Sequence, residues 1–91
     1  EIYAARCMVL DAARQRDDGH NVSTEASCAK MFATEMCSRV ADRGVQIHGG
    51  AGYISDYAVE RFYRDVRLFR LYEGTTQIQQ VIISRNMIRN A

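Results

Sequence analysis

Ser23-Thr24-Glu25-Ala26-Ser27-Cys28-Ala29-Lys30-Met31-Phe32-Ala33-Thr34-Glu35-Met36-Cys37-Ser38-Arg39-Val40 is the stretch whose reading decides the fold. Ala26, Ala29, Ala33, Met36, Cys37 and Val40 recur at helical spacing and form one apolar face. Cys28 and Phe32 widen that face, so the helix should be covered on more than one side. Ser23 or Thr24 can cap its start, and Glu25 suits the positive end of its dipole. The pattern runs on to about Gln46 or Ile47, making this the longest element. Gly44 inside it costs roughly 1 kcal/mol relative to alanine. A glycine there marks a close approach of a second helix.

Upstream, Ile2, Ala5, Val9, Ala12 and Ala13 share a stripe, and the spacing predicts a first helix to about Arg16 or Asp17. Asp17-Asp18-Gly19-His20-Asn21 reads as a turn, with Gly19 left-handed. Downstream, His48-Gly49-Gly50-Ala51-Gly52 stops the long helix. Ser55 or Asp56 opens a short third helix through Tyr57, Val59 and Phe62, and Asp65 to Gly74 is expected to be irregular. Thr75 or Thr76 caps a last helix, and Thr76-x-x-Gln79 has capping-box spacing. Ile78, Val81, Ile82, Ile83, Met87 and Ile88 make that helix apolar over a wide arc. Proline is absent and nothing alternates at strand period. The expected fold is all-α, an antiparallel helical bundle.

Ninety-one residues make room for one small domain. The net charge of +1 gives no electrostatic reason to expect nucleic acid or an anionic membrane as partner. Arg61, Arg64, Arg67 and Arg70 recur every third residue, but Glu60 and Asp65 interrupt them. A salt-bridged structural segment explains them better than a nucleic-acid patch. No apolar run approaches the roughly 20 residues of a membrane-spanning helix. The first residues do not read as a secretory signal. Cys7, Cys28 and Cys37 lack Cys-x-x-Cys spacing and lie apart from His20 and His48. Zinc and disulfide frameworks are unsupported; the cysteines read as small buried hydrophobes of a reducing compartment.

Two runs carry chemistry. In Leu71-Tyr72-Glu73-Gly74-Thr75-Thr76-Gln77-Ile78-Gln79, a carboxylate stands beside an aromatic ring and just ahead of a helix start. Unpaired N–H groups and the dipole favour an anion there. Apolar neighbours Leu71 and Tyr72 would desolvate Glu73 and raise its pKa toward that of a general base. The plain alternative is an acidic residue placed for helix stability. In Gln46-Ile47-His48-Gly49-Gly50-Ala51-Gly52-Tyr53, the glycines follow a helix, not a strand, so the dinucleotide-fold fingerprint is rejected. On composition this run is a helix-terminating turn, and His48 a polar loop residue.

These two runs, with Glu60-Arg61-Phe62-Tyr63-Arg64-Asp65 between them, resemble in order and spacing the C-terminal helical domain of the flavin-dependent acyl-CoA dehydrogenases. The resemblance covers nearly the whole chain and is strongest from Ala26 to Asn90. It implies that residues 1–91 form part of that domain, without its first helix or the N-terminal and middle domains, and are inactive alone. Tyr72-Glu73-Gly74-Thr75 matches the motif whose glutamate is the base in the short- and medium-chain type, which makes Glu73 the catalytic residue. Tyr72 and Gly74 would then border an acyl-CoA substrate. Gln46, Ile47, His48, Gly49, Gly50, Thr75 and Gln77 would bind FAD, the first five across a subunit interface. Arg64-Asp65 would help to hold the loop carrying the base.

The resemblance further implies an electron-transfer flavoprotein or similar acceptor, a dimer or tetramer, and a bacterial cytoplasm or mitochondrial matrix. Its reaction is oxidation of an acyl-CoA to a trans-2-enoyl-CoA. Other readings are a non-catalytic helical oligomerisation module and an acyl-CoA oxidase-like relative. A helix-turn-helix DNA binder is disfavoured by the balanced charge.

Overall fold

The computed structural model describes residues 1–90. Four α-helices follow one another: α1 Ile2–Asp17, α2 Ser23–His48, α3 Val59–Arg67 and α4 Thr76–Arg89. Three short 3-10 turns, Gly49–Tyr53, Ser55–Tyr57 and Leu68–Arg70, join the later ones. There is no strand among the described residues, and the fold is all-α as expected.

α2 is the spine, and the other three helices run antiparallel to it. α1 returns along it from the turn at Asp18 and Gly19, so that Glu1 meets Arg39 at 2.8 Å. α3 starts beside Gly44, where a Cβ would stand 3.4 Å from Val59 Cγ2. That is the close approach expected from the glycine. α3 and its 3-10 extension reach Glu35 through Arg70. α4 then continues from Thr76 beside Glu35 to Asn86, whose Nδ2 donates to Ser23 Oγ at 3.0 Å. Thus α3 and α4 lie end to end along one side of α2, with the Leu71–Thr75 turn at their junction.

The buried apolar set is Ala5, Ala12 and Ala29. Small residues let the helices approach, but they bury little area. The radius of gyration, 15.9 Å, exceeds the roughly 12 Å of a compact chain this long. Large apolar groups on α1 and α4 stay in the open, including Ile2, Val9, Met87 and Ile88. Among the described residues no helix is long and apolar enough to cross a membrane.

Several local expectations are corrected. α2 is not capped by Ser23 or Thr24; Asn21 Oδ1 accepts from Ser23 N–H at 3.0 Å, one residue before the N-cap Val22. The third helix does not begin at Ser55 or Asp56, because Ala58 sits in the left-handed region (φ 65°) and separates the 3-10 turn from α3. Residues 65–70 are helical, not irregular: α3 runs to Arg67, with Arg64 paired to Glu60 one turn back. Cys7 is exposed, and Cys28 and Cys37 are half-buried, so none is a core residue within this chain.

Candidate functional site

The Leu71–Thr75 turn is fixed at both ends by one carboxylate of α2. Glu35 Oε2 accepts from Arg70 Nη1 at 3.0 Å, and Glu35 Oε1 accepts from the Thr76 hydroxyl at 2.7 Å. The Thr76 bond, then the bond and charge of Arg70, hold the Glu35 carboxyl below its ordinary 4.5, against an opposing push from burial.

The middle of the turn is held by Lys30. Its Nζ donates to the carbonyls of Phe69 (2.8 Å), Tyr72 (3.1 Å) and Gly74 (2.6 Å). From the other side Gln79 Nε2 donates to the carbonyls of Glu73 (3.3 Å) and Gly74 (3.4 Å). Glu73 (φ 54°) and Gly74 (φ 89°) are both left-handed. That φ favours glycine at position 74, and a Cβ there would lie 2.6 Å from the Gln79 amide nitrogen, which would have to move away.

The Glu73 side chain itself is exposed and makes no hydrogen bond or ion pair among the described residues. Tyr72 stacks on Phe69, with centroids 6.0 Å apart, but remains 47% exposed, and Leu71 is 53% exposed. The expected desolvation of Glu73 by these two neighbours is therefore not built by this chain. Thr75 is the N-cap of α4, its Oγ accepting from Ile78 N–H at 3.1 Å. The capping box does not form, because Thr76 turns to Glu35 and Gln79 turns to the preceding carbonyls. Gln77 is exposed, and the N–H groups of Thr76 and Gln77 have no partner among the described residues.

The second run closes the far end of α2. Gln46, Ile47 and His48 are exposed, and His48 Nδ1 donates to the Gly44 carbonyl at 2.8 Å. Gly49 is left-handed at φ 63°, and a Cβ on Gly49 or Gly50 would meet nothing within 4 Å. Gly52 differs: a Cβ there would be 2.5 Å from the Val45 carbonyl oxygen. This run and the Glu73 turn are not brought together. Lys30, which holds the turn, and Gln46 are 16 residues apart on α2, about 24 Å of helix rise at 1.5 Å per residue.

Arg64 bonds Glu60 and not the turn. Of the residues that do hold it, Lys30 and Glu35 were not singled out by sequence, and Gln79 was noted only as a capping-box partner. Lys30 had one available signal: it is the single lysine among 12 basic residues, set between the apolar residues Ala29 and Met31. Its partners are main-chain carbonyls, which carry no sequence identity.

A family model described as "Acyl-CoA dehydrogenase, C-terminal domain" matches residues 1–88. The chain is 47% identical over 89 residues to the caffeyl-CoA reductase-Etf complex subunit CarC of Acetobacterium woodii, covering 98% of this chain and 24% of that protein. It is 45% identical to a 3-(aryl)acrylate reductase of Clostridium sporogenes, again over 98% of this chain and 24% of the other. Among solved structures, butyryl-CoA dehydrogenase from Megasphaera elsdenii superposes with a TM-score of 0.93 at 36% identity, over 97% of this chain and 23% of that one. The chain thus spans about a quarter of the length of the proteins it matches.

Proposed function

The chain belongs to the acyl-CoA dehydrogenase family, and from that premise we propose that it serves as the C-terminal domain of an FAD-dependent enzyme. That enzyme oxidises an acyl-CoA thioester to a trans-2-enoyl-CoA, with Glu73 as the base that takes the α-proton. One observation carries the reading: the backbone around Glu73 is gripped at its carbonyls, while the Glu73 side chain is left free. A general base needs that combination, a fixed origin and an uncommitted carboxylate. Tyr72 and Gly74 border the same turn and would line the thioester.

FAD, when bound, supplies the oxidant that accepts the β-hydrogen with its electron pair. The residues present fit such a group in two parts. α4 offers the free N–H groups of Thr76 and Gln77, and a helix N-terminus suits a pyrophosphate. The end of α2 offers Gln46, Ile47 and His48 with the open backbone of Gly49 and Gly50. That end carries the negative pole of its dipole, so it suits an uncharged part of the cofactor. Thr76 meets Glu35, about 16 Å along α2 from Gln46, and in this reading the two parts would serve flavins of different subunits. The exposed apolar groups of α1 and α4 support a dimer or tetramer. An electron-transfer flavoprotein is the proposed electron partner, since a relative is named as an Etf-complex subunit. The proposed location is the cytoplasm of a bacterium, the relatives named being bacterial proteins.

Glu73→Gln in the intact flavin-loaded enzyme tests the base. FAD content and acyl-CoA binding should persist while turnover falls by about 1,000-fold. Turnover near wild type would sink the assignment. A second reading reverses the direction: two relatives are named as reductases. Glu73 would then return a proton to the α-carbon of an unsaturated thioester. Comparing kcat/KM for a saturated and an α,β-unsaturated acyl-CoA, each with its electron partner, separates the two.

A further inference from the structure

We propose that Lys30 is the positioning residue of the turn that presents Glu73, an inference that rests on reading Glu73 as the base. A lysine ammonium has three donors and no acceptor. Lys30 spends all three on one turn, on the carbonyls of Phe69, Tyr72 and Gly74. Two of those carbonyls belong to the residues immediately before and after Glu73. The Tyr72 and Gly74 oxygens lie in the turn between the 3-10 segment and α4, where no helical bond reaches them, and the Phe69 oxygen lies in the 3-10 segment just before it.

The geometry selects lysine over arginine. Three carbonyls converge on one point, which a compact tetrahedral ammonium fits and a planar guanidinium fork does not. The chain otherwise uses arginine for its basic residues and places its one lysine here. Lys30 also stands on α2, the longest and most enclosed helix, so its anchor is stiff. Glu73 holds a left-handed φ that a non-glycine residue rarely adopts, and only a turn fixed from outside keeps it there. Lys30 touches neither the Glu73 carboxylate nor any reacting atom; it acts through the backbone.

The test uses the intact flavin-loaded enzyme with Lys30→Met, Lys30→Arg and, in parallel, Glu73→Gln. Measured are kcat, KM, bound FAD, melting midpoint and the rate at which solvent deuterium enters the α-carbon of a saturated acyl-CoA. For Lys30→Met, kcat and α-exchange should fall together by about 100-fold, as expected for a displaced base, with KM within about threefold and FAD retained. Lys30→Arg keeps charge and stem, and should fold even if Lys30→Met does not. It should lose about tenfold in kcat and in α-exchange at unchanged KM. Loss of folded yield alone, with kcat per bound flavin within about twofold of wild type in either variant, overturns the proposal. If Glu73→Gln remains active, the base assignment falls instead, whatever Lys30 does.

Discussion

Glu35 on α2 receives the Thr76 hydroxyl of α4 at 2.7 Å while its other oxygen receives Arg70 at 3.0 Å. One half-buried carboxylate thereby joins three elements: the end of the 3-10 turn, the start of α4 and the middle of the spine. Replacing Thr76 with valine should cost about 1.5–3 kcal/mol, the range for a hydrogen bond to a charged group. Denaturant unfolding of the intact enzyme measures it, and an unchanged midpoint would show that Arg70 alone suffices.

The same carboxylate predicts a pH effect. Glu35 titrates below its ordinary 4.5 in the folded protein, chiefly through Thr76 and then Arg70. A carboxyl with a depressed folded pKa contributes stability that is fully present above its unfolded pKa. That contribution is lost as pH falls through the folded value. Wild type should therefore lead Glu35→Gln in stability at neutral pH, and the lead should shrink as pH drops below about 4.5. A difference independent of pH would contradict the coupling.

Gly74→Ala should be harmful for two separate reasons. The residue has φ 89°, and its Cβ would meet Gln79 Nε2 at 2.6 Å. The left-handed conformation alone costs about 1–2 kcal/mol, and Gln79 must leave the carbonyls it holds. Gln79→Ala combined with Gly74→Ala should recover the steric part only, which a double-mutant cycle on melting midpoint resolves.

Gly50→Ala and Gly52→Ala should part company. Alanine at Gly50 meets nothing in this chain, whereas at Gly52 it strikes the Val45 carbonyl. Gly52→Ala should lower stability of the intact enzyme. Gly50→Ala should leave the melting midpoint of the flavin-free protein unchanged and weaken FAD by about tenfold through lost close approach. Equal FAD affinity in wild type and Gly50→Ala would remove Gly50 from the proposed flavin contacts.

The helices were legible because helical stripes are local. α1 ends at Asp17 as the spacing predicts, and α2 outruns its expected end by one residue. Gly44 announced the contact with Val59, since a missing side chain inside a helix is itself a signal. Thr75, one of two candidate caps, is the cap used. What failed was local chemistry overruled by contacts distant in the chain. Thr76 and Gln79 had capping-box spacing, but Glu35, 41 residues away, took the hydroxyl. The Ala58 break had no propensity signal, because alanine favours helix and rarely takes positive φ; the helicity of residues 65–70 did have one, in Arg67, Leu68 and Arg70. At the candidate site, Glu73 stood out by motif, Lys30 and Glu35 did not, and Gln79 stood out for a capping role it does not play. Lys30 and Gln79 bond only main-chain oxygens here.

The grip of Lys30 is blind to side chains, because every amino acid carries the carbonyl oxygens it binds. Exchanging Leu71, Tyr72 or Glu73 deletes none of those three bonds. Only the left-handed φ at position 73 filters what can stand there, favouring glycine, asparagine or aspartate. The turn is thus a mount whose attachments do not depend on the group it displays. A different side chain at position 73 would change what the turn displays while leaving the three Lys30 bonds in place.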